Sequence, residues 1–485
     1  MVPTDVAAEV ELVRSLVAKQ FPIYDVKVTV QAVTVFISVD RTTLDEKFEA
    51  LRREMNEKMF VPFLTYSGGE YTVTVYRKQI NKVRGHTLNL ILLFITFGTT
   101  IFAGATLWAA YENSDQWLTP DSIFWGAIFF AVPLMLILGT HELSHYYMSK
   151  RHGVAASLPF FIPSFPPLGT FGAFISMRDP IPNRKALFDI GIAGPIGGIL
   201  IAIPVTLLGL YLTALDPHII SVIPDGGLMR INTSLLYDFL QMMVPIPGDA
   251  QLHPMAFAGW VGILVTAINL LPAGQLDGGH VARGLLGDNA KYLTYAVIGA
   301  LLVMGMFYTG WLIFGFLILI LGLRHPAPLN DISPIGGHRK IVGAIAIVLL
   351  LVTFTPTPME PVLPSHTYTV YAVGGNATVI AAGSNNTVQL LVNNTGDLAL
   401  HMRMDVRGIP AGWSVAIYPN NASANATSST SYLLSYGGSQ SIDLRISVPF
   451  GADPGIKYLY IDSGSYNSAA VLKYSLTTSY QVTVI

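Results

Sequence analysis

Long apolar segments separated by short polar ones dominate residues 85–358. A helix that crosses a bilayer needs about 20 consecutive, mostly apolar residues. The pattern therefore predicts an α-helical polytopic membrane protein with about seven transmembrane helices. The predicted spans are 87–110, 123–148, 186–214, 254–271, 291–307, 310–324 and 340–358. The fifth and sixth are short, and they are also compatible with one interrupted hairpin around residues 308–310.

The chain on either side of this region has a different pattern. Residues 1–84 show helical and strand periodicity in the order helix–strand–strand–helix–strand–strand, which predicts a compact α+β domain. Residues 359–485 consist of short alternating segments rich in Ser, Thr, Asn and Gly, which is typical of an antiparallel β-sandwich. The sequence thus predicts three domains, 1–84, 85–358 and 359–485. The last resembles immunoglobulin- or fibronectin-like modules of prokaryotic surface proteins at residues 393–396, 409–415 and 441–449.

Charges in the connecting loops predict the orientation in the membrane. Basic residues cluster before the first span, between the second and third, and between the sixth and seventh: Arg77, Lys78, Lys82, Arg84, Lys150, Arg151, Arg178, Arg184, Lys185, Arg324, Arg339 and Lys340. Loop 111–122 has no base and loop 215–253 has only Arg230. The positive-inside rule therefore predicts a multi-pass protein of the cell membrane with a cytoplasmic N-terminal domain and, after seven spans, an extracellular C-terminal domain. Asn-X-Ser/Thr triplets in that domain agree with this side: Asn376, Asn385, Asn393, Asn421 and Asn425.

The amino-acid composition argues against several classes of function. Hydrophobic residues make up 52% of the chain and charged residues 12%, about half the charged share of a typical soluble domain. The net charge of −2 gives no reason to expect a nucleic-acid partner. The chain has no cysteine, which excludes disulfides, thiolate metal ligands and a cysteine nucleophile. The first apolar run begins near Leu88, after a charged segment, so no cleavable signal peptide is expected.

The main candidate for chemistry is the segment His141-Glu142-Leu143-Ser144-His145 near the end of the second predicted span. Residues four apart lie on one helix face, so both imidazoles can bind one metal ion. Glu142 stands beside the first of them, where its carboxylate can take a proton from a water molecule that the metal makes acidic. Ionisable groups at membrane depth cost roughly 2.5–3.5 kcal/mol each, and a bound zinc ion would compensate them.

A catalytic zinc ion normally has three protein ligands, so a third must come from elsewhere in the chain. The best candidate segment is 269–280, where Pro272 and several glycines interrupt a predicted span. Asp277 lies in this interruption, and His280 is its competitor as a ligand. The carboxylate is favoured because Gly278 lets the backbone bend beside it. It also leaves the site one unit less positive than a third imidazole would.

These two motifs together resemble the site-2 protease family of intramembrane zinc metalloproteases, in its archaeal and plastid branch. Further similar stretches are 169–174, 189–195, 254–262 and 328–331. The resemblance implies that His141, His145 and Asp277 bind Zn²⁺ and that Glu142 is the catalytic acid and base. It also places Asn269 near the site, either positioning substrate or the oxyanion, or else satisfying backbone freed by Pro272. Family members have a membrane-associated β-hairpin or a re-entrant stretch between the ligand-bearing spans, here residues 154–184. Residues 169–176 are the candidate edge strand for substrate, and an inert interfacial hairpin is the alternative.

The function that the resemblance implies is hydrolysis of peptide bonds in or near transmembrane segments, as in regulated intramembrane proteolysis. The expected partners are a transmembrane protein substrate and the lipid bilayer. The alternative is a membrane metal-ion transporter or sensor that uses the same histidines. A transporter is expected to distribute ionisable residues along several spans, whereas here they concentrate at one depth, which favours the protease.

Overall fold

A computed structural model describes residues 6–78, 86–114, 116–218, 228–247, 250–321, 327–362, 365–396, 399–419, 428–435, 437–466 and 470–485. Its contacts divide the chain into two compact units. The first unit comprises residues 1–218 and 232–358, and the second comprises 219–231 and 359–485. The N-terminal residues therefore form one unit with the apolar helices. Five residues named above lie outside the described residues: Lys82, Arg84, Arg324, Asn421 and Asn425.

The N-terminal part of the first unit has the predicted order of helices and strands. Its elements are α1 Val6–Ala18, β1 Ile23–Val28, β2 Val33–Ile37, α2 Leu44–Glu57, β3 Phe60–Ser67 and β4 Glu70–Arg77. The strands form an antiparallel sheet in the order β1-β2-β4-β3. Buried residues at helical spacing on α2, such as Phe48, Leu51 and Met55, pack in one core with Val35 and Val73 of the sheet. The amphipathic periodicity of α2 is therefore sufficient to explain why this helix packs on the sheet.

The rest of the first unit is mainly helical. Its elements are α3 Thr87–Tyr111, α4 Pro120–Gly126, a π-helical turn Ala127–Ala131, α5 Val132–Arg151, β5 Phe160–Pro163, β6 Thr170–Phe174, α6 Arg184–Leu215, α7 Leu235–Met243, α8 Pro254–Asn269, α9 Asp277–Leu286, α10 Ala290–Met304, α11 Thr309–Leu321 and α12 Gly337–Thr353. Helix α4, the π-helical turn and α5 form one continuous rod from Pro120 to Arg151. Helix α7 was not predicted, because it lies in the polar loop between two predicted spans.

Three helices in the described part of the chain are long and apolar enough to cross a membrane: Thr87–Tyr111, Pro120–Arg151 and Arg184–Leu215. The other predicted spans are also helical, but α8, α10, α11 and α12 have only 16, 15, 13 and 17 residues. At 1.5 Å per residue, 17 residues reach about 26 Å, less than the roughly 30 Å hydrocarbon core. A helical membrane protein is thus confirmed, and the count of seven spans stays a prediction.

The second unit is built of β-strands, which confirms the predicted β-rich C-terminal region. Its strands are β7 Leu228–Ile231, β8 Met359–Val362, β9 Tyr368–Ala372, β10 Ala377–Ile380, β11 Asn385–Asn394, β12 Leu400–Arg407, β13 Ser414–Pro419, β14 Ser429–Leu434, β15 Ser439–Ser447, β16 Gly455–Tyr466 and β17 Leu472–Val484. Two sheets, β10-β17-β16-β12-β14 and β13-β15-β11-β9, enclose one apolar core. Alternating strand residues such as Leu390, Met404 and Leu444 are fully buried in it, which is the expected period-two pattern of a sandwich.

Candidate metal centre

Helix α5 brings two histidines and a glutamate into the interior of the first unit. His141, Glu142 and His145 are 3%, 6% and 5% exposed, so all three are buried. The Nε2 atoms of His141 and His145 are 3.1 Å apart. Four-residue spacing on a helix accounts for this approach. The sequence motif is therefore a compact pair of imidazoles with a carboxyl group next to it.

The chain between α8 and α9 turns sharply and presents Asp277 as the first residue of α9. Helix α8 ends at Asn269, and Gly274 in the turn has a positive φ of 53°. A Cβ added at Gly278 would lie 2.1 Å from the carbonyl oxygen of Leu270, so a larger residue there would block the turn. The predicted helix break is thus a turn that folds back on the start of the next helix.

The Asp277 carboxylate completes a group of three candidate ligand atoms. Its Oδ2 is 3.0 Å from His141 Nε2 and 3.2 Å from His145 Nε2. Tetrahedral zinc with metal–ligand distances of about 2.0–2.1 Å keeps its ligand atoms about 3.3–3.4 Å apart. The observed separations fit that geometry closely. Two imidazoles and one carboxylate also form a donor set that suits zinc better than calcium or magnesium.

Backbone from α6 orients the second histidine. His145 Nδ1 is 2.8 Å from the carbonyl oxygen of Ile190, so Nδ1–H donates to that oxygen. This hydrogen bond leaves the lone pair on Nε2, the nitrogen that faces His141 and Asp277. Metal-binding histidines typically make such a bond through their second nitrogen. Sequence analysis missed Ile190, since a backbone carbonyl leaves no side-chain signal.

Glycines on α6 allow that helix to approach the site. A Cβ added at Gly194 would lie 2.1 Å from His145 Nε2, and one at Gly197 would lie 2.1 Å from Ser144 Oγ. A Cβ at Gly191 would lie 2.5 Å from the Cβ of His280. Helix α6 therefore packs directly against both ligand-bearing helices. The glycine-rich stretch 191–198 is visible in the sequence, but only the packing shows what it accommodates.

His280 lies on α9 three residues after Asp277. Its Nδ1 is 3.0 Å from the carbonyl oxygen of Leu276, one helical turn earlier. Within the described residues, the group of ligand atoms lying within 4.8 Å of one another contains His141, His145 and Asp277 and does not contain His280. The geometry agrees with the carboxylate being the third ligand.

Two polar groups flank the three candidate ligands. Asn269, the last residue of α8, has its Nδ2 3.3 Å from His141 Nε2. The backbone of Ile175, just after β6, lies near the Glu142 carboxyl group. The site therefore has the side-chain amide of Asn269 beside the candidate ligands. It also has the Glu142 carboxyl group close to the end of strand β6.

The segment between α5 and α6 forms the predicted hairpin. Strands β5 and β6 pair antiparallel, with Phe160 opposite Phe174. Helix α3 holds both ends of this hairpin: Asn89 Nδ2 donates to Leu158 O at 2.6 Å, and Thr99 Oγ1 donates to Gly169 O at 2.7 Å. In the described part of the chain this sheet has two strands, so β6 keeps one edge that no other strand covers.

Two ion pairs near the site were not predicted. Asp189 accepts two hydrogen bonds from Arg339, both at 2.7 Å, and lies 3.0 Å from His152 Nε2. This cluster joins the starts of α6 and α12 to the end of α5. Arg283 of α9 pairs with Asp331 at 2.6 Å. Arg339 had been assigned only to membrane orientation and Arg283 had no predicted role, because their partners lie far away in the sequence.

Fold and site together define a helical membrane protein with a candidate metal centre made of a His-Glu-x-x-His helix and a distant aspartate. Residues 129–312 match the family model of peptidase family M50. This range includes both motifs, so it covers all the candidate ligands. The predicted resemblance to site-2 proteases is confirmed.

Curated relatives carry names consistent with this family. The probable zinc metalloprotease EGY1, chloroplastic, of Arabidopsis thaliana is 28% identical over 318 residues, covering 60% of this chain and 57% of that protein. EGY2 of the same species is 30% identical over 282 residues, covering 56% and 48%. EGY1 of Oryza sativa subsp. japonica is 32% identical over 226 residues, covering 44% and 38%. The chain thus spans about half the length of the curated relatives it matches.

Solved structures match much more weakly. One of them, the PapD-like domain 7 of human CEP192, has a TM-score of 0.18 and 14% identity, covering 25% of this chain and 87% of that chain. Similarity at this level defines neither a fold nor a function.

Proposed function

We propose that this protein is an intramembrane zinc metalloprotease that hydrolyses peptide bonds in or near transmembrane segments of membrane proteins. The observation that carries the proposal is the near-tetrahedral spacing of 3.0–3.2 Å among His141 Nε2, His145 Nε2 and Asp277 Oδ2. Glu142 stands next to these ligands on an apolar helix of membrane length. The names of the curated relatives, probable zinc metalloproteases, support the same chemistry.

In this proposal His141, His145 and Asp277 hold the zinc ion. Bound zinc polarises a carbonyl group and makes a water molecule more acidic. Glu142 accepts the proton of the attacking water and passes it to the nitrogen of the leaving amine. Asn269, whose Nδ2 lies near His141, would donate a hydrogen bond to the oxygen of the attacked carbonyl as negative charge develops there.

The open edge of β6 supports a role for the hairpin in holding substrate. A peptide must be extended before one of its carbonyl groups can reach the site, and an uncovered strand edge pairs readily with extended backbone. Strand β6 is followed by Ile175, whose backbone lies near Glu142. Substrate backbone added along β6 would therefore run close to the proposed base.

This function is tested with the full-length protein purified in detergent and a model substrate containing one transmembrane helix. We expect about one zinc ion per chain by elemental analysis, and cleavage of the substrate that stops on chelation and returns with added zinc. Absence of bound zinc in protein that is folded and still cleaves the substrate would contradict the proposed chemistry. Zinc uptake into vesicles without any cleavage would instead favour the transport alternative.

The proposed sidedness rests on loop charges and is supported by two contacts between distant loops. Strand β7, which follows α6, pairs with β8, which follows α12. Asn232 N donates to Pro358 O at 2.9 Å, joining the same two segments within the first unit. These contacts support placing the ends of α6 and α12 on one side of the membrane, with an even number of crossings between them. This supports counting α10 and α11 as a pair, with the N-terminal domain cytoplasmic and the C-terminal domain outside.

Cysteine labelling can test this topology, since the natural chain contains no cysteine. We expect Asn376→Cys in the C-terminal domain to react with a membrane-impermeant maleimide on intact cells. Glu11→Cys, at a side chain 71% exposed in the N-terminal domain, should react only after lysis. The cysteine-free parent, which has no thiol that can react with the maleimide, is the control. Labelling of both positions on intact cells would overturn the odd span count.

A further inference from the structure

Helix α9 is short, yet it carries a candidate metal ligand. It has ten residues, and its first residue, Asp277, is a candidate metal ligand. A short helix is held in place by tertiary contacts more than by its own hydrogen bonds. A metal site requires its ligand atoms to be held to within about 0.5 Å. The contacts that anchor the far end of α9 therefore bear on the geometry of the metal site.

One anchor comes from the start of α6. Arg184 donates from Nε to Gly284 O at 2.9 Å and from Nη2 to Leu285 O at 2.8 Å. These are carbonyl groups of the last turn of α9, which lack partners within the helix. A Cβ added at Gly284 would lie 2.9 Å from the Cβ of Phe188, so the two helices touch closely there. Helix α6 fixes the C-terminal end of α9 along its axis.

The second anchor is an ion pair inside the protein. Arg283 Nη2 donates to Asp331 Oδ2 at 2.6 Å, and the two side chains are only 8% and 25% exposed. Arg283 Nη1 and Asp331 Oδ1 are buried without a hydrogen bond to any described residue. The pair therefore depends on this single contact. Removing one partner of such a pair leaves the other charge buried and uncompensated, which is strongly unfavourable.

Asp331 belongs to a segment, residues 328–333, that we call the strap. Leu329 N donates to Ile181 O at 2.9 Å, while Leu329 O accepts from Leu64 N of β3 at 2.7 Å. The Leu329 side chain is 3% exposed and packs in the core formed by α1, α2 and the N-terminal sheet. The strap is thus part of the N-terminal domain's core, although it lies more than 250 residues later in the chain.

A local turn fixes the direction of the strap at Asp331. Asn330 Oδ1 accepts hydrogen bonds from Ile332 N at 3.1 Å and Ser333 N at 3.2 Å. Its Nδ2 donates to Ser333 Oγ at 2.6 Å. Asn330 is 2% exposed, so these bonds form out of contact with solvent. The turn spans Asp331 and presents its carboxylate in one orientation.

From these contacts we propose that Arg283 and Asp331 are positioning residues for the third ligand. The strap, seated in the N-terminal domain, holds α9 through this ion pair and so keeps Asp277 within reach of His141 and His145. The inference rests on the proposed zinc function. It assigns the N-terminal domain a role at the metal site that requires no substrate contact.

The experiment measures zinc affinity of the full-length protein by competition with a chromogenic chelator. We expect Arg283→Met and Asp331→Asn each to weaken zinc binding about tenfold. This is the lower end of the loss in metal affinity that follows when a residue supporting a metal ligand is removed. Saturating zinc should restore most of their cleavage activity, because no group that touches substrate is changed. The exchanged pair, Arg283→Asp with Asp331→Arg, should recover part of the affinity.

Lys291→Ala, which removes the Lys291–Asp288 ion pair at the start of α10, is the matched control and should bind zinc like the parent.

Thermal unfolding without metal separates this role from a loss of folding. Unchanged zinc affinity in folded Arg283→Met and Asp331→Asn proteins would overturn the inference while leaving the proposed function intact. Equal weakening in the Lys291→Ala control would overturn it as well. If the parent itself binds no zinc, the proposed function fails instead. Leu329→Ala, in the strap but away from α9, should weaken zinc binding in the same direction and by a smaller factor.

Discussion

Replacing Glu142 with Gln is expected to lower substrate cleavage by about 10²–10⁴-fold, the usual contribution of a general acid–base group. The amide keeps the size of the carboxyl group but cannot accept a proton from water. The three candidate ligands, His141, His145 and Asp277, are unchanged. Zinc content should therefore stay at the parental level. The measurement is the initial rate of cleavage of a transmembrane substrate, with zinc determined on the same preparation.

Glu112→Gln is the matched control for this change. Glu112 is exposed at the end of α3, so the same substitution there should leave both rate and zinc content unchanged. Near-parental turnover of Glu142→Gln would show that another group acts as the base. Loss of zinc from that variant would show that Glu142 is a ligand, and the assignment of roles on α5 would then be wrong.

The second large effect concerns the choice between Asp277 and His280. Asp277→Ala should lower zinc affinity by more than about 100-fold. Loss of a residue that only supports a metal ligand lowers affinity by up to about 100-fold, so loss of a ligand should cost more. It removes a ligand atom that lies 3.0 Å from His141 Nε2. His280→Ala should retain zinc, since the ring hydrogen-bonds Leu276 O at the start of α9 and lies outside the close ligand group. Zinc affinity and cleavage are measured for both variants.

Asp288→Asn provides the control for removing a carboxylate near α9. Its side chain is 74% exposed and pairs with Lys291, so zinc binding should not change. Loss of zinc in the His280 variant together with retention in the Asp277 variant would reverse the assignment. Retention in both would mean that a third ligand lies elsewhere in the chain.

Much of the site could be predicted because its strongest signals are local. The four-residue spacing of His141 and His145 specifies their common helix face wherever that helix lies. Likewise Pro272 and the following glycines end α8 through backbone restrictions that do not depend on neighbours. The order of elements in the N-terminal domain follows from periodicity for the same reason.

Other features required long-range contacts. The sequence predicted membrane spans at α8, α10, α11 and α12, with the fifth and sixth already short, and these helices have only 16, 15, 13 and 17 residues. The pairing of β7 with β8 was also invisible, because strand partners more than 100 residues apart leave no local signal.

By itself the sequence determined that this chain is a membrane protein with a metal-binding helix, since hydrophobic length and side-chain spacing act within one segment. The tertiary structure brings the Asp277 carboxylate, which the sequence had favoured, next to the two histidines. Glycines let α6 pack closely against the helices that carry the candidate ligands, and Arg283 of α9 is paired with Asp331, a residue of the strap. Those contacts join segments far apart in the chain, and only the folded chain brings them together.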